Sequence, residues 1–239
     1  MLTNNKIKLI NSLKQKKNRD VHGLFIAEGE KVVQEFIDSR FEIEEIFSND
    51  PFKFSETTKV SAKELSRVSN LKTPNNVLGL FKIPQVEFDV NQLKGSVTIA
   101  LDELKDPGNL GTIIRIADWF GISNIICSEK SVDVYNPKVI QSTMGSLTRV
   151  NIHYEDLSNI LRSSEVKSYG ALLDGDNIYS TQKITEGIIV FGNESKGIGK
   201  EVLHLLDNKI TIPRIGGAES LNAAVSVGII CSELFRKTL

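Results

Sequence analysis

Two cysteines and three histidines are all that 239 residues offer of the side chains that most often hold metals or form disulfides. Cys127 and Cys231 lie inside apolar segments with no CxxC or Cys/His spacing, so neither a disulfide frame nor a zinc site is indicated. His22, His153 and His204 are far apart in sequence, and no metal is expected. No apolar run is long enough to span a bilayer, and no low-complexity tract or tandem repeat is present. The N-terminus, MLTNNKIKLINSLKQKKNR, lacks the uninterrupted apolar core of a signal peptide, so the expected location is cytoplasmic. A formal net charge of −1 excludes binding of nucleic acid by bulk charge and leaves only local patches.

One such patch opens the chain. Lys6, Lys8, Lys14, Lys16, Lys17 and Arg19 face the single acid Asp20, while Ile7, Ile10 and Leu13 recur at helical intervals. The pattern predicts a short helix with one buried stripe and a basic face. A solvated face is the bland reading; phosphate contact through Lys14, Lys16, Lys17 and Arg19 is the sharper one.

Strand-like runs at Leu24–Ala27, Phe41–Phe47 and Val77–Ile83 alternate with helical patterns at Glu30–Ser39 and after Ser61, where Glu64 completes a capping box. This predicts a small α/β domain over residues 1–90, with Pro84–Lys94 as the linker. The second half begins with Val97–Leu101, which has the flavour of a buried parallel strand. A helix follows in which Ile113, Ile116, Ala117 and Phe120 form the apolar stripe, and Arg115 falls about 200° round from Ile113, off that stripe. Further strands are predicted at Asn124–Cys127, Ser168–Leu173 and Gly187–Phe191, and helices at Asn136–Ser142 and Tyr154–Ser163. A last helix is expected to open at Ser220, apolar all round as far as Phe235.

Three loops stand at the carboxyl ends of strands, where open α/β sheets bind ligands: Asp106–Gly111, Gly192–Gly199 and Ile212–Asn222. None carries a dinucleotide or P-loop fingerprint, so a cofactor that lacks a phosphate fits better. Asp102 and Asp106 read as structural. For a single glycine, plain turn chemistry is the default reading, and Asn109 and Ser220 could simply cap helices.

In order and spacing, DPGNLGTIIRIADWFG, IVFGNESKGI and IPRIGGAESLNAAVSVGI resemble the three signature motifs of the SpoU (TrmH-like) RNA methyltransferases of the SPOUT superfamily. The resemblance covers roughly Gly95–Leu239, and SLKQKKNRDVHGLFIAEGEKVVQEF with TPNNVLGLF is similar to the substrate-binding domain common in that family. It implies an α/β fold with a trefoil-knotted, mainly parallel sheet flanked by helices over residues 95–239, behind the smaller N-terminal α/β domain. It implies methyl transfer from S-adenosyl-L-methionine to a ribose 2′-hydroxyl in structured RNA, ribosomal RNA being favoured over transfer RNA. By motif position it places Asn109, Arg115, Glu194, Ser220 and Asn222 at the acceptor, and backbone groups of Gly192, Ile212 and Leu221 around the cofactor, with Gly197 and Gly217 shaping the loops. In the family the arginine has been viewed as a base assisted by a phosphate; its high pKa favours a positioning role, and both stand open. A homodimer through the C-terminal domain is also implied. Arg214, Ile116 and Trp119 depart from the usual pattern. A non-catalytic RNA-binding or ribosome-assembly protein on the same fold, and a methyltransferase for another acceptor such as a base, are the competing readings.

Overall fold

A computed structural model describes residues 1–50, 56–182 and 184–236. In chain order the first elements are α1 (Asn4–Ser12), α2 (Lys16–His22), β1 (Leu24–Glu28), α3 (Glu30–Ile37), β2 (Ile43–Ser48), β3 (Thr57–Lys59), α4 (Ala62–Ser66) and β4 (Val77–Lys82). A short 3₁₀ turn at Val90–Leu93 precedes β5 (Val97–Leu101), α5 (Pro107–Trp119), β6 (Asn124–Ser128) and α6 (Pro137–Thr143). The chain then continues through β7 (Asn151–Glu155), α7 (Leu157–Ser163), β8 (Ser168–Asn177), β9 (Gly187–Phe191), α8 (Lys200–Leu203), β10 (Asn208–Thr211) and α9 (Ala223–Phe235).

The elements pack into two units. The first holds Met1–Gln85 together with Asp133–Thr148; the second holds Val86–Val132 and Arg149–Leu239. Residues Val86–Leu93, expected within a linker, fold with the second unit, where Leu93 is buried and Phe88 and Val90 pack against its core.

In the first unit a four-stranded sheet has the order β1-β4-β2-β3, with β4 antiparallel to both neighbours and β3 parallel to β2. Ile7, Ile10 and Leu13 are buried as the stripe demands, but the single expected helix is two, broken at Leu13–Gln15. Gly23 ends α2 with φ +63°, a conformation a side chain would resist. A phenylalanine cluster of Phe25, Phe36, Phe41 and Phe81 receives Tyr135 from the returning segment, its ring 4.8 Å from Phe25. The capping box at α4 is present, Ser61 and Glu64 bonding reciprocally. Buried Glu28 accepts from Ser69 Oγ (2.5 Å), Asn70 N (2.7 Å) and Asn70 Nδ2 (3.1 Å), so its carboxylate is solvated by a loop instead of water.

In the second unit six strands run in the order β10-β8-β9-β5-β6-β7, every pairing parallel. The middle strands β5 and β9 are buried along their whole length, which is why both read as unbroken apolar runs. From β5 the chain steps outward to β6 and β7, and from β9 it leads to β10 at the other edge. The order therefore reverses between β5 and β9, and a crevice at the carboxyl ends opens at such a point. Tyr154 and Glu155, expected in a helix, belong to β7; Asp156 caps α7 through Ser158 N (2.9 Å) and starts that helix later.

Candidate functional site

The site is assembled where β5 and β9 end side by side. Leu101 and Phe191 are register partners, and Asp102 N extends the ladder by donating to Phe191 O (2.8 Å). Asp102, 6 % exposed, turns its carboxylate to Gly199 N (2.7 Å), tying the first loop to the far end of the second. Asp106 caps α5 by accepting from Asn109 N (2.8 Å), with Pro107 in the first turn where no N–H is needed. These two acids are structural, as read from the sequence.

Asn109 is thereby fixed one turn into α5, and its side chain joins all three loops. Its Nδ2 donates to Glu194 Oε1 (3.1 Å), while its Oδ1 accepts from Asn222 Nδ2 (2.8 Å). Glu194 also takes Asp106 N on Oε1 (3.0 Å) and Lys105 N on Oε2 (3.3 Å). Burial pushes this carboxyl up, but the backbone N–H groups of Asp106 and Lys105 and the Asn109 amide outweigh it and hold the group below the usual glutamate range. Glu194 is therefore an anionic anchor, already engaged by three donors.

The second loop closes on itself. Asn193 and Gly197 bond reciprocally through their backbones (3.0 and 2.9 Å), and Asn193 Oδ1 accepts from Ser195 N and Lys196 N. A Cβ at Gly192 would lie 2.1 Å from the carbonyl carbon of Gly197, and Gly197 itself has φ +69°. Both glycines are thus demanded by geometry. Gly217 is not: its φ is ordinary, and a Cβ there would meet nothing within 4 Å.

The third loop is exposed from Pro213 to Asn222, with Ile215 fully out and Leu221 about half out. Here the expectation needs correcting. The last helix opens at Ala223, and its cap is Asn222, whose Oδ1 accepts from Ala224 N (2.9 Å) and Val225 N (3.3 Å). Ser220 is exposed two residues before the cap, and it does not cap the helix. The serine invites the prediction because serine is a good cap, but asparagine is as good and lies against the apolar run.

Arg115 points away from the buried stripe of α5 and is exposed, with no ion pair among the described residues. That stripe is Leu110, Gly111, Ile113, Ile114 and Ala117; Ile116 and Phe120, expected in it, are half-buried and are covered in part by α9, at Gly228 and through a stacked ring contact with Phe235. Trp119 is 85 % exposed, and Arg214 donates to Ala218 O (3.1 Å) inside its own loop. Ile212 is half-buried at the end of β10.

In the first unit Lys14, Lys16 and Lys17 are exposed, Lys16 paired with Asp20 (2.8 Å). Arg19 is a correction. It is 2 % exposed, forms a buried ion pair with Asp133 and donates to Leu13 O (2.8 Å) and Lys14 O (3.1 Å), so it is an interior strut and not part of the basic face. Sequence reasoning misses Asn193, although an asparagine followed by small and polar residues after an apolar strand is the mark of a side chain that builds its own turn.

Two family models match the chain: the SpoU rRNA Methylase family over residues 96–232 and the MRM3-like substrate binding domain over residues 4–79. The 23S rRNA (guanosine(2553)-2′-O)-methyltransferase RlmP of Bacillus subtilis is 28 % identical over 97 % of this chain and 96 % of its own length. A TrmH-family protein from Porphyromonas gingivalis superposes with a TM-score of 0.89 at 34 % identity, covering 99 % of both chains. The AdoMet-bound rRNA methyltransferase from Sinorhizobium meliloti gives 0.88 at 30 % identity, covering 100 % of this chain and 97 % of the other.

Proposed function

The chain belongs to the SpoU rRNA Methylase family, and we propose that Asn109, Arg115, Glu194, Ser220 and Asn222 form the acceptor side of its active site, with Gly192, Ile212 and Leu221 on the donor side. It is an S-adenosylmethionine-dependent methyltransferase acting on a ribose 2′-hydroxyl in RNA, with ribosomal RNA the favoured substrate class. The observation that carries the residue assignment is the hydrogen-bonded chain Glu194–Asn109–Asn222, which closes all three motif loops on one point of the sheet.

The third loop has what such a cofactor asks for. It is an exposed stretch of backbone with the apolar side chains of Ile215 and Leu221 available to cover a purine, and Gly216 and Gly217 leave open space beside it. Backbone groups of Gly192, Ile212 and Leu221 would hold the cofactor, which supplies a sulfonium-activated methyl when bound. The chain's own part is to present the acceptor. Arg115 has a planar fork with no ion pair among the described residues, suited to gripping a phosphate next to the target ribose and polarising its hydroxyl. Glu194, ionised and already accepting three hydrogen bonds, orients Asn109 and is not poised to take a proton at neutral pH. Ser220, exposed beside the cap, is left for contact with the nucleotide.

Lys14, Lys16 and Lys17 are assigned to RNA contact on the first unit, whose match to a substrate-binding domain supports the role. A trefoil knot in the second unit, a cytoplasmic location and a homodimer belong to the same reading. For the dimer, α9 buries Ala224, Val227, Ile230, Cys231 and Leu234 but leaves Val225 half exposed beside Tyr179, an apolar flank that a second copy would cover. A single monomeric boundary in sedimentation at micromolar concentration removes it. A crystal structure with bound S-adenosylmethionine tests the knot and the donor loop together. The function itself is tested by tritium transfer from labelled S-adenosylmethionine to unmodified ribosomal RNA, followed by nuclease digestion. A labelled 2′-O-methyl nucleoside is expected; a labelled base sinks the ribose assignment, and binding without transfer favours an assembly protein.

A further inference from the structure

Three neighbouring strands of the second sheet, β9, β5 and β6, each lead into a loop that carries one lysine just past the strand: Lys196, Lys105 and Lys130. Strands in a sheet lie about 4.8 Å apart, so consecutive loops follow one another along the carboxyl edge at close intervals. Three lysines are thereby carried on neighbouring loops, two of which, those of Lys105 and Lys196, also supply the Asn109 and Glu194 of the proposed acceptor site.

The row is tied down at its roots. Lys105 donates its backbone N–H to Glu194 (3.3 Å), and its ammonium lies on Lys130 O (2.5 Å). Lys196 has its backbone N–H on Asn193 Oδ1 (3.0 Å), and Asn193 Nδ2 reaches back to Glu103 O (2.8 Å). Glu103 is the hub. Its φ is +52°, a conformation that non-glycine residues seldom adopt and that clusters at functional sites. Its N–H donates to Ser128 Oγ (2.7 Å) and its carboxylate pairs with Lys130 (3.2 Å).

Charge around the row is unevenly directed. Asp102, Asp106 and Glu194 all turn their carboxylates to backbone N–H groups inside the loops. Among the described residues Glu103 is the one acid paired with a lysine of the row, and Lys105 and Lys196 have no carboxylate partner. The Lys130 hydrogen bond first, then, against burial, the charges of Lys130, Lys105 and Lys196 hold the Glu103 carboxyl below its ordinary range, so all three cations are felt at one point. A solvated surface ion pair accounts for Lys130, and a carbonyl contact holds Lys105; neither accounts for the third cation, Lys196, near the same point.

We propose that Lys105, Lys130 and Lys196 form a phosphate-binding row that receives the RNA backbone flanking the target ribose and sets RNA affinity without touching the methyl donor. The inference rests on the acceptor site being where Asn109 and Glu194 meet. Phosphate contacts position a nucleic acid and make its binding salt-dependent, and three lysines contribute a salt slope of about 2 to 3.

The test compares the full-length protein with the triple variant Lys105→Gln/Lys130→Gln/Lys196→Gln, using an unmodified ribosomal RNA transcript as probe. Binding is measured across a salt series, S-adenosylmethionine affinity by calorimetry and folding by thermal melting. The expected result is a log–log salt slope flatter by about 2 to 3 and an RNA KM raised about tenfold. S-adenosylmethionine affinity and the melting midpoint stay unchanged, and the corresponding triple arginine variant restores the wild-type slope. An unchanged slope and KM in the folded glutamine variant overturns the row. So does a loss confined to S-adenosylmethionine affinity or to the melting midpoint, which makes the lysines structural. If the wild type binds RNA but transfers no methyl group, the catalytic reading fails while the salt slopes still decide the row.

Discussion

Asn222 uses both ends of one side-chain amide: Nδ2 donates to Asn109 Oδ1 at 2.8 Å, and Oδ1 caps α9 at Ala224 and Val225. The start of the last helix and the first turn of α5 are therefore fixed by the same residue. Its partner Asn109 must keep its own amide oriented with oxygen toward Asn222 and nitrogen toward Glu194.

That polarity gives a directional prediction. Asn109→Ala removes both bonds and is expected to lower kcat about 10²-fold, the scale of losing one oriented polar group in an active site. Asn109→Asp puts a carboxylate against Glu194 and should be worse than alanine. Single-turnover methyl transfer with saturating RNA measures both; equal activity of Asp and wild type would sink the coupling role.

Glu194 predicts a pH dependence. Its folded pKa is depressed, so the stabilisation from its contacts is fully present above the unfolded glutamate value of about 4.3 and is lost as pH falls through the lower folded value. The rate profile should show no inflection from this group between about pH 6 and pH 9. Glu194→Gln should reduce kcat without moving any neutral-range inflection. If it abolishes one, Glu194 is a general base after all.

Arg115 separates a fork from a charge. Lysine keeps the charge and loses the planar pair of donors, so Arg115→Lys should cost about 10- to 100-fold in kcat/KM, and Arg115→Ala more. Near-normal activity of the lysine variant at neutral pH would show that only charge is needed. S-adenosylmethionine affinity should be unchanged in both.

Arg19 is expected to act on stability. Arg19→Met leaves the Asp133 carboxylate, 14 % exposed and still accepting from Tyr135 N, without its cation, and should cost up to about 3 kcal/mol in urea unfolding. The salt slope of RNA binding should stay at the wild-type value. A stable variant with a flatter slope would return Arg19 to the RNA-binding face.

Much of the site could be read in the chain because strand, turn and helix succeed one another within each motif, and local rules suffice there. Asp106, Pro107 and Asn109 announce a helix start, and the apolar run of β9 ends at Gly192 and Gly197, which the turn requires. What local rules miss is pairing at long range. Arg19 and Lys17 look alike in sequence, and only Asp133, more than a hundred residues on, makes one a strut and leaves the other in water. Ser220 and Asn222 are equally good caps by residue type, and the choice falls to the asparagine that also meets Asn109. The strand β3 has no apolar alternation to reveal it, since Thr57, Thr58 and Lys59 are held by pairing to β2.

The return of Asp133–Thr148 to the first unit bears on how the protein is made. That segment supplies the carboxylate for Arg19 and the Tyr135 ring for Phe25, and α6 packs on β1. During synthesis the first unit cannot close when its own strands have emerged, because its last pieces are encoded behind β5, α5 and β6. The aliphatic cluster from Leu2 to Leu80 lies wholly in the earlier stretch, but Arg19 and Phe25 stay without Asp133 and Tyr135 until the later segment has left the ribosome. A fragment that stops just after β4 keeps that cluster but buries Arg19 with no carboxylate and leaves the Phe25 ring uncovered by Tyr135, so on its own it is an incomplete stand-in for the first unit in RNA-binding work.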